Sequence, residues 1–547
     1  MKNYIQNILF QVLSKKGFPD KPVVVESSSD DKFGDFTSNI ALSLSKELKR
    51  SPISIAEEIK NNLEYDTDYF KKIEIAGAGF INFFISDNFY KKELLKILEL
   101  KDDYGKMNDN AGKTANLEWV SANPTGLLHA GHGRQVALGK SIANLLEWTG
   151  YKVTREYYYN DAGNQMTMLA KSIQARYEQI FDSDFPFPEE GYAGEYIIDI
   201  AKKIYNEKND SLRNSTGLDF FKKAGEEYNF SSIKRTLKKL NIKHDIFFNE
   251  SGLYINGAID SLLTNLNLKG LLYEKDDALW LKMDEKSFRK DKVIRKSSGE
   301  YTYRLPDMAY HIDKIKRGYD LIVDIFGSDH SDTYKEVLYG VNSAGYDISN
   351  IKVIIHQMVT FRKGNETIKM SKRSDNVYYL DDLIEDVGTD ATQFFFIMRA
   401  ANTHLDFDIE LAVEKSEKNP VFYLQYAHAR ICGILRNAEE NQLYNTGSID
   451  NYINFELISG IDELNLLKIL SKFPELISSV SESLEPHRII TYLNKVAETF
   501  HRFYHNNRVI NVENTELTNT RLGICLAVRY ILKNGFYLLG INAPERM

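Results

Sequence analysis

Asn116-Leu-Glu-Trp-Val-Ser-Ala122, then Asn123-Pro-Thr-Gly126, then Leu127-Leu-His129-Ala-Gly-His132-Gly-Arg134 is the stretch that decides the fold class. Asn116–Ala122 has the apolar, β-prone pattern of a buried strand. Asn-Pro-Thr-Gly is turn chemistry. Beyond it, Val136, Leu138, Ile142, Leu145 and Leu146 lie at helical spacing over about Gly131–Trp148, and Gly150 stops the helix. Tyr151–Tyr159 returns as a strand. Strand, helix and strand within this length make a βαβ unit, which implies a parallel sheet covered by helices. The sheet is predicted to resume at Leu321–Phe326 and Val353–Ile355.

The chain has 547 residues, room for about three to five domains at roughly 100–200 residues each. Residues 1–110 mix helix and strand signals. Ile5, Ile8, Leu9, Val12 and Leu13 fall at helical spacing, so Met1–Leu13 reads as an amphipathic helix and not as a signal peptide. Ser54-x-x-Glu57 has the form of a capping box beside Pro52. Ile73–Ala76 and Phe80–Ile85 read as strands joined at Gly77-Ala-Gly79. This small α+β domain is expected to end in the polar stretch Lys101–Lys113. Residues 165–290, with acidic and proline-containing patches such as Asp182–Glu190, read as an insertion in the sheet domain of 111–400. From about Pro420 the period is 3.6, with stripes at Ile431, Ile434 and Leu435 and at Leu466, Leu467, Leu470 and Phe473. Residues 401–547 are therefore predicted to be an all-α helix bundle.

Hydrophobic residues make up 43% and charged residues 27%, ordinary values that exclude a disordered or fibrous chain. The apolar runs, such as Ile81–Ile85, are too short to span a bilayer. Two cysteines, Cys432 and Cys525, cannot build a disulfide framework or a cysteine-rich zinc site, and point to a reducing compartment. A net charge of −8, from 69 basic and 77 acidic residues, excludes a histone-like binder. It leaves room for local basic patches that neutralise phosphates.

The turn at Asn123–Arg134 is suited to phosphate. A helix N-terminus presents unpaired N–H groups and partial positive charge. Gly126, Ala130, Gly131 and Gly133 let a ligand approach the backbone, and His129 and His132 can donate to phosphate oxygens. Taken alone, His-x-x-His also fits a pair of metal ligands lacking a third, or two surface histidines. A second segment, Thr367-Ile-Lys369-Met-Ser-Lys372-Arg373-Ser374, reads either as a mobile loop able to close over a triphosphate or as a solvated charged loop.

Together these segments resemble the two signatures of class I aminoacyl-tRNA synthetases, His129-Ala-Gly-His132 and Lys369-Met-Ser-Lys-Arg373, with Ala130 and Arg373 as mild departures. The flanks resemble the arginyl-tRNA synthetase family: Glu118-Trp-Val-Ser121-Ala-Asn123, Tyr303-Arg-Leu-Pro-Asp307, Gly388-Thr-Asp-Ala-Thr-Gln-Phe and Pro420-Val-Phe-Tyr-Leu-Gln-Tyr-Ala-His-Ala-Arg430. The likeness spans all three regions and is weakest in 165–290.

The resemblance implies an α/β chain: a Rossmann-like parallel-sheet catalytic domain, an N-terminal α+β domain meeting the tRNA D-loop, and a C-terminal helical anticodon-binding domain. It implies catalytic roles for His129, His132, Lys369 and Lys372. ATP would be bound by His129, Gly131, His132, Gly327, Asp329, His330, Met370, Ser371 and Lys372. Arginine would be bound by Glu118, Ser121, Asn123, His129, Tyr303 and Asp307. It places tRNA at Phe80, Asn82, Tyr423, Tyr426, Arg430, Tyr492 and Met547. Mg²⁺ would come with ATP and not in a protein-only metal site. The partners would be arginine tRNA, L-arginine and ATP, with no membrane, for a monomeric cytoplasmic ligase. The family's need for bound tRNA before arginine activation is implied as well.

Physical chemistry supports the amino-acid choice. A guanidinium is planar and permanently charged, and carboxylates hold it best in fork geometry; Glu118 and Asp307 are the acids expected there. The rival readings are a nucleotidyltransferase that works without tRNA, a protein that only binds tRNA, and a synthetase for another amino acid such as cysteine. The helical C-terminal region, the intact histidine and lysine signatures, and the two acids respectively speak against them. His501–Arg508 is a basic and aromatic run to which the sequence assigns no role.

Overall fold

The computed structural model describes every residue except 29, 285–287, 289, 365, 369–376 and 444–452. Lys369, Met370, Ser371, Lys372 and Arg373 thus lie outside the described residues.

The N-terminal region has the expected α+β character. Helix Lys2–Lys16 buries Ile5, Ile8, Leu9, Val12 and Leu13. Strands β1 (Val25–Ser27), β2 (Phe36–Ser38), β3 (Phe70–Ala76) and β4 (Phe80–Ile85) form an antiparallel sheet in the order β1-β2-β4-β3. Helix Pro52–Asn61 is capped by Ser51, whose hydroxyl accepts from the Ser54 N–H, with Pro52 at its first position. The cap therefore lies three residues before the Ser54 suggested by sequence. Proline there has a fixed φ suited to a helix start and lacks only an N–H that would have gone unbonded.

The central sheet is parallel throughout, with β5 (Thr114–Glu118), β6 (Lys152–Tyr159), β7 (Ile246–Asn249), β11 (Leu321–Gly327) and β12 (Ile351–His356) in the order β12-β11-β5-β6-β7. Beside it, β8 (Leu272–Lys275), β9 (Ala278–Leu281) and β10 (Lys292–Arg295) form an antiparallel meander; β13 (Val359–Lys363), β14 (Glu366–Ile368) and β15 (Leu405–Asp408) form a third small sheet. Two features differ from the sequence reading. The strand at 116–122 stops at Glu118, because Val120 (φ 74°) and Ser121 (φ 39°) turn into the left-handed region. The stretch 165–290 also contributes the edge strand β7, reached through helices Gly163–Glu178, Glu195–Lys208 and Asp219–Lys239. Much of it is a long βαβ crossover of the main sheet.

Helix Gly133–Trp148 is buried almost all round, since it packs on the sheet and on the helical domain together. Gly139 makes the close approach possible: a Cβ there would lie 2.2 Å from Trp119 Cγ. Gly139→Ala is expected to destabilise the protein by about 1–3 kcal/mol, the usual cost of overpacking, read as a lowered melting temperature; an unchanged melt would show that Trp119 can yield.

Helices Pro420–Glu440, Ile461–Leu470, Phe473–Ser483, His487–Asn506 and Thr515–Leu539 form the C-terminal bundle. Thr515–Leu539 is long and apolar enough to cross a membrane by composition, yet it is mostly buried inside the fold, as a bundle's core helix would be. Its C-terminal carbonyls are taken up by the catalytic domain: Ser141 Oγ donates to Leu538 O (2.8 Å), Asn144 Nδ2 to Tyr537 O (2.7 Å) and Lys140 Nζ to Gly540 O (2.6 Å). Helix Gly133–Trp148 thereby caps the end of the bundle's longest helix and fixes one domain on the other.

Candidate active site

In the strand order β12-β11-β5-β6-β7 the chain winds one way from β5 to β6 and the other way from β11 to β12. The crevice beyond the carboxyl ends of β5 and β11 is thus a topological switch point. The residue register builds the site across it. Glu118 of β5 pairs with Asp324 of β11 on one side and Glu156 of β6 on the other. Residues paired across parallel strands share a face, so three carboxylates stand in a row.

Helix Arg304–Lys316 answers that row. Lys314 is fully buried; its ammonium donates to Asp324 Oδ1 (2.6 Å) and to Glu118 Oε2. Arg317 makes a fork on Glu156 at 2.7 and 2.9 Å, and Tyr310 Oη and Asn116 Nδ2 also donate to that carboxylate. His311 lies between two acceptors, Asp307 O (2.7 Å) and Asp324 Oδ2 (3.2 Å). Two acceptors call for two N–H groups, so the ring is an imidazolium. Burial alone would lower its pKa, but Asp324 more than reverses this and raises it. Asp324 itself is held well below the usual carboxylate range, Lys314 and His311 outweighing the burial. The buried layer therefore balances three carboxylates against three cations, while Asp313 reaches Arg317 Nε (3.0 Å) from the solvent edge.

Above this layer the balance fails. Among the described residues, Asp307, one turn before His311, receives no side-chain hydrogen bond or ion pair. Burial, reinforced by Glu118 and Glu250 and opposed by His311 and Lys314, lifts its pKa from 3.8 to about 7. Glu250, just past the end of β7, is buried, accepts a 2.6 Å hydrogen bond from Tyr158 Oη and, among the described residues, has no ion-pair partner. Burial raises its pKa too, with Asp161 adding to the rise. Among the described residues, two carboxyl groups with tyrosine hydroxyls nearby thus lack an ion-pair partner.

The strained Val120–Ser121 turn belongs to the same site. A β-branched residue at φ 74° is held there only by its surroundings. The turn brings Ser121 Oγ back to donate to Glu118 Oε1 (2.8 Å) and accept from the Tyr158 N–H (3.2 Å). Asn123 accepts from the Asn160 N–H (3.0 Å) and donates to Gln165 (2.9 Å). Tyr303 lies one turn ahead of Asp307, but its side chain is 68% exposed and not packed over the acid.

On the phosphate side, the His129 and His132 rings stack at 3.7 Å, and His132 Nδ1 accepts from the His129 N–H at 3.2 Å. The segment is pinned to the chain that follows the lysine signature: Ala130 N–H donates to Tyr378 O and Leu380 N–H to Leu128 O, each at 2.8 Å. Arg134, fully buried, donates to the carbonyls of Gln357, Thr403 and Ala400 at 2.7–2.9 Å. Gly131 sits in the turn at the start of helix Gly133–Trp148. Gly327 ends β11, where a Cβ would meet Asp329 Oδ1 at 2.5 Å. Asp329 and His330 are both exposed beyond it. His356, buried at the end of β12, is pushed by burial down to about 4 and is neutral at pH 7.

Of the residues assigned to tRNA, Phe80 is 40% and Met547 56% exposed. Tyr426 is exposed, its ring parallel to Phe422; Tyr423 lies 5.4 Å from His501, and Arg430 covers Tyr504 at 4.6 Å. His501 and Tyr504, which the sequence left without a role, thus share that face. Asn82 is buried, accepting from Thr37 Oγ1 at 2.8 Å, and Tyr492 Oη donates to the carbonyls of Ile469 and Leu470 inside the bundle. Lys314, His311, Asp324, Tyr158 and Glu250 were missed as site residues. The signal that marks the two on the helix is the spacing of His311 and Lys314 after Asp307, a polar stripe beside the apolar Leu305, Met308 and Ile312.

A parallel sheet with the histidine signature at the switch point and a helical bundle behind it defines a class I aminoacyl-tRNA synthetase. The family described as "tRNA synthetases class I (R), catalytic domain" matches residues 93–404, "Arginyl tRNA synthetase N terminal domain" matches 1–85, and "DALR anticodon binding domain" matches 424–547. The chain is 45% identical to Arginine--tRNA ligase of Prosthecochloris aestuarii and 44% identical to that of Salinibacter ruber, in both cases over 100% of each chain. Thermus thermophilus arginyl-tRNA synthetase has the same fold, with a TM-score of 0.77 at 20% identity over 100% of both chains. The chain belongs to the arginyl-tRNA synthetase family.

Proposed function

We infer that this chain ligates L-arginine to arginine tRNA for translation, in two steps. An arginine carboxylate oxygen attacks the ATP α-phosphorus; the new P–O bond forms as the bond to the β-phosphate bridge breaks, giving arginyl-adenylate and pyrophosphate. The 2′-hydroxyl of the terminal tRNA adenosine then attacks the arginyl carbonyl carbon, giving up its proton and expelling AMP. His129 and His132 stabilise phosphate charge from the helix start, with Lys369 and Lys372 doing so from the second signature. Gly131, Gly327, Asp329, His330, Met370 and Ser371 complete the ATP site. Asp307 and Glu118 serve the guanidinium end, which Tyr303 borders from its exposed position one turn ahead of Asp307, while Ser121, Asn123 and His129 serve the α-amino and carboxylate end. Mg²⁺ travels with ATP, whose phosphates supply hard oxygen ligands. Phe80, Tyr423, Tyr426, Arg430 and Met547 are the proposed tRNA contacts; Asn82 and Tyr492, engaged inside the fold, support that surface from behind. Acceleration comes from positioning and electrostatics, without a covalent enzyme intermediate.

The observation that carries this reading is Asp307, a buried carboxyl that, among the described residues, has no ion-pair partner and lies one turn before the balanced layer of Lys314, His311 and Asp324. The test is aminoacylation of total tRNA with each of the twenty amino acids: arginine alone is expected to be attached, and the attachment of a different amino acid would end the reading.

A pH dependence follows. Arginine is cationic across the whole working range and binds the ionised carboxylate. With the Asp307 pKa at about 7 in the free protein, the carboxyl is mostly protonated at pH 6 and mostly ionised at pH 8. The arginine KM is expected to be about tenfold higher at pH 6 than at pH 8, as one proton competes with one ligand. A KM that stays flat between those values would remove Asp307 from the site.

A further inference from the structure

The balanced layer raises the question of which acids remain to hold a cation. Both Glu118 oxygens are engaged, one by Ser121 and one by Lys314. Glu250 is not so engaged. It extends from β7, whose Phe248 pairs with Tyr158 of β6. Tyr158, Phe248 and Glu250 therefore follow on the face that carries Glu156 and Glu118, nearer the mouth of the crevice. The Tyr158 hydroxyl sits within electrostatic reach of Asp307, Glu250 and Glu118, and the Tyr254 hydroxyl within reach of Asp307 and Glu250. The neighbouring Asp161 is already occupied, accepting from Ser251 N–H (3.0 Å) and Oγ (2.6 Å). Among the described residues, Asp307 on the helix and Glu250 on the strand side are thus two acids without an ion-pair partner, with the Tyr158 and Tyr254 hydroxyls within electrostatic reach of both.

We propose that Glu250 is a specificity-determining residue, forming with Asp307 a two-sided carboxylate clamp on the guanidinium, while Glu118 acts mainly from below by fixing Ser121 and Lys314. This deepens, and rests on, the arginine reading above. A flat fork of five N–H donors can meet carboxylates on two edges with aromatic rings against its faces, whereas a compact ammonium cannot span them. Each acid raises the other's affinity for protons while the site is empty, and the guanidinium relieves both. The Glu250 charge should therefore be felt in how arginine binding responds to pH.

The test is tRNA aminoacylation by the full-length chain carrying Glu250→Gln, which keeps an acceptor for Tyr158 and removes the charge. The arginine KM is expected to rise about twentyfold with kcat within about threefold. The tenfold change in KM between pH 8 and pH 6 is expected to shrink to about threefold as Asp307 loses its acidic neighbour. Citrulline, planar but neutral, should inhibit the variant and the unmodified chain within about twofold of each other. A purely structural role would weaken both ligands alike. If the unmodified chain attaches arginine while Glu250→Gln shows an unchanged KM and pH response, or loses citrulline as badly as arginine, the clamp is wrong and the broader reading stands. If the unmodified chain does not attach arginine, the broader reading falls with it. Should Glu250→Gln fail to fold, Glu250→Asp keeps the charge and shortens its reach. That variant is expected to keep the pH response and raise KM several-fold; an unchanged KM there would overturn the proposal.

Discussion

Replacing Asp307 by asparagine is expected to raise the arginine KM about a hundredfold while leaving the ATP KM within about twofold. The carboxylate is the helix-borne acid of the site and, among the described residues, has no ion-pair partner. Removing one partner of a desolvated, hydrogen-bonded charge pair costs about 2–5 kcal/mol, and each 1.4 kcal/mol is about tenfold. The loss should fall on KM more than on kcat, since the guanidinium end is remote from the reacting phosphate and is held in ground state and transition state alike. The same substitution should stabilise the empty protein. An acid whose pKa is raised from 3.8 to about 7 on folding destabilises the folded state by a cost that begins as pH rises past the unfolded value and is complete above the folded one. Asp307→Asn lacks that cost. Its melting temperature without ligand should exceed that of the unmodified chain at pH 8, and the two should converge near pH 4. Lost arginine affinity without that pH-dependent gain would mean that Asp307 is not the isolated acid described here.

How much of this could be read in the sequence depends on how local each determinant is. The βαβ unit at 116–159 was legible because a strand, a turn and a helix each leave their own period within a few residues. The early stop at Glu118 was not legible: Val120 and Ser121 look like strand residues, and only the tertiary contacts of Ser121 with Glu118 and Tyr158 hold them in the left-handed region. β7 was lost inside 165–290 because Ile246–Asn249 is four residues long and follows a run of helices, so it shows no alternation of its own. Glu250 was lost with it. The histidine turn and the lysine segment stand out from their own residues as phosphate-suited, but their roles, and those of the acids Glu118 and Asp307, come from family resemblance. Exposure is likewise a property of the assembled fold. Tyr426 and Tyr492 are both tyrosines on helices, yet one faces outward and the other spends its hydroxyl on carbonyls of the neighbouring helix.

The second large effect belongs to Lys314, which binds no substrate in this scheme. Its ammonium is wholly buried, and two carboxylates, Glu118 and Asp324, depend on it. Burial alone would lower its pKa, but the three acids Asp324, Glu118 and Glu156 overcome this and raise it. Lys314→Met keeps the stem's volume and deletes the charge, leaving two desolvated acids with, among the described residues, His311 as their cationic neighbour, and that on Asp324 alone. Breaking a buried pair from one side costs about 3–5 kcal/mol, and at about 2–4 °C per kcal/mol for a domain near this size the catalytic domain's calorimetric transition should fall by roughly 10 °C. Glu118 would have to protonate or swing away. Ser121 and the strained turn beneath the amino-acid site would lose their anchor, so arginine affinity should fall as well. The double variant Lys314→Met with Glu118→Gln separates charge from packing. If stranded charge is the cause, removing the acid as well should restore about half of the lost melting temperature, since Asp324 keeps its bond to His311. If the double variant melts lower than Lys314→Met, by the sum of two independent losses, the two side chains are not coupled and the balanced layer is not what holds the floor of this site in place.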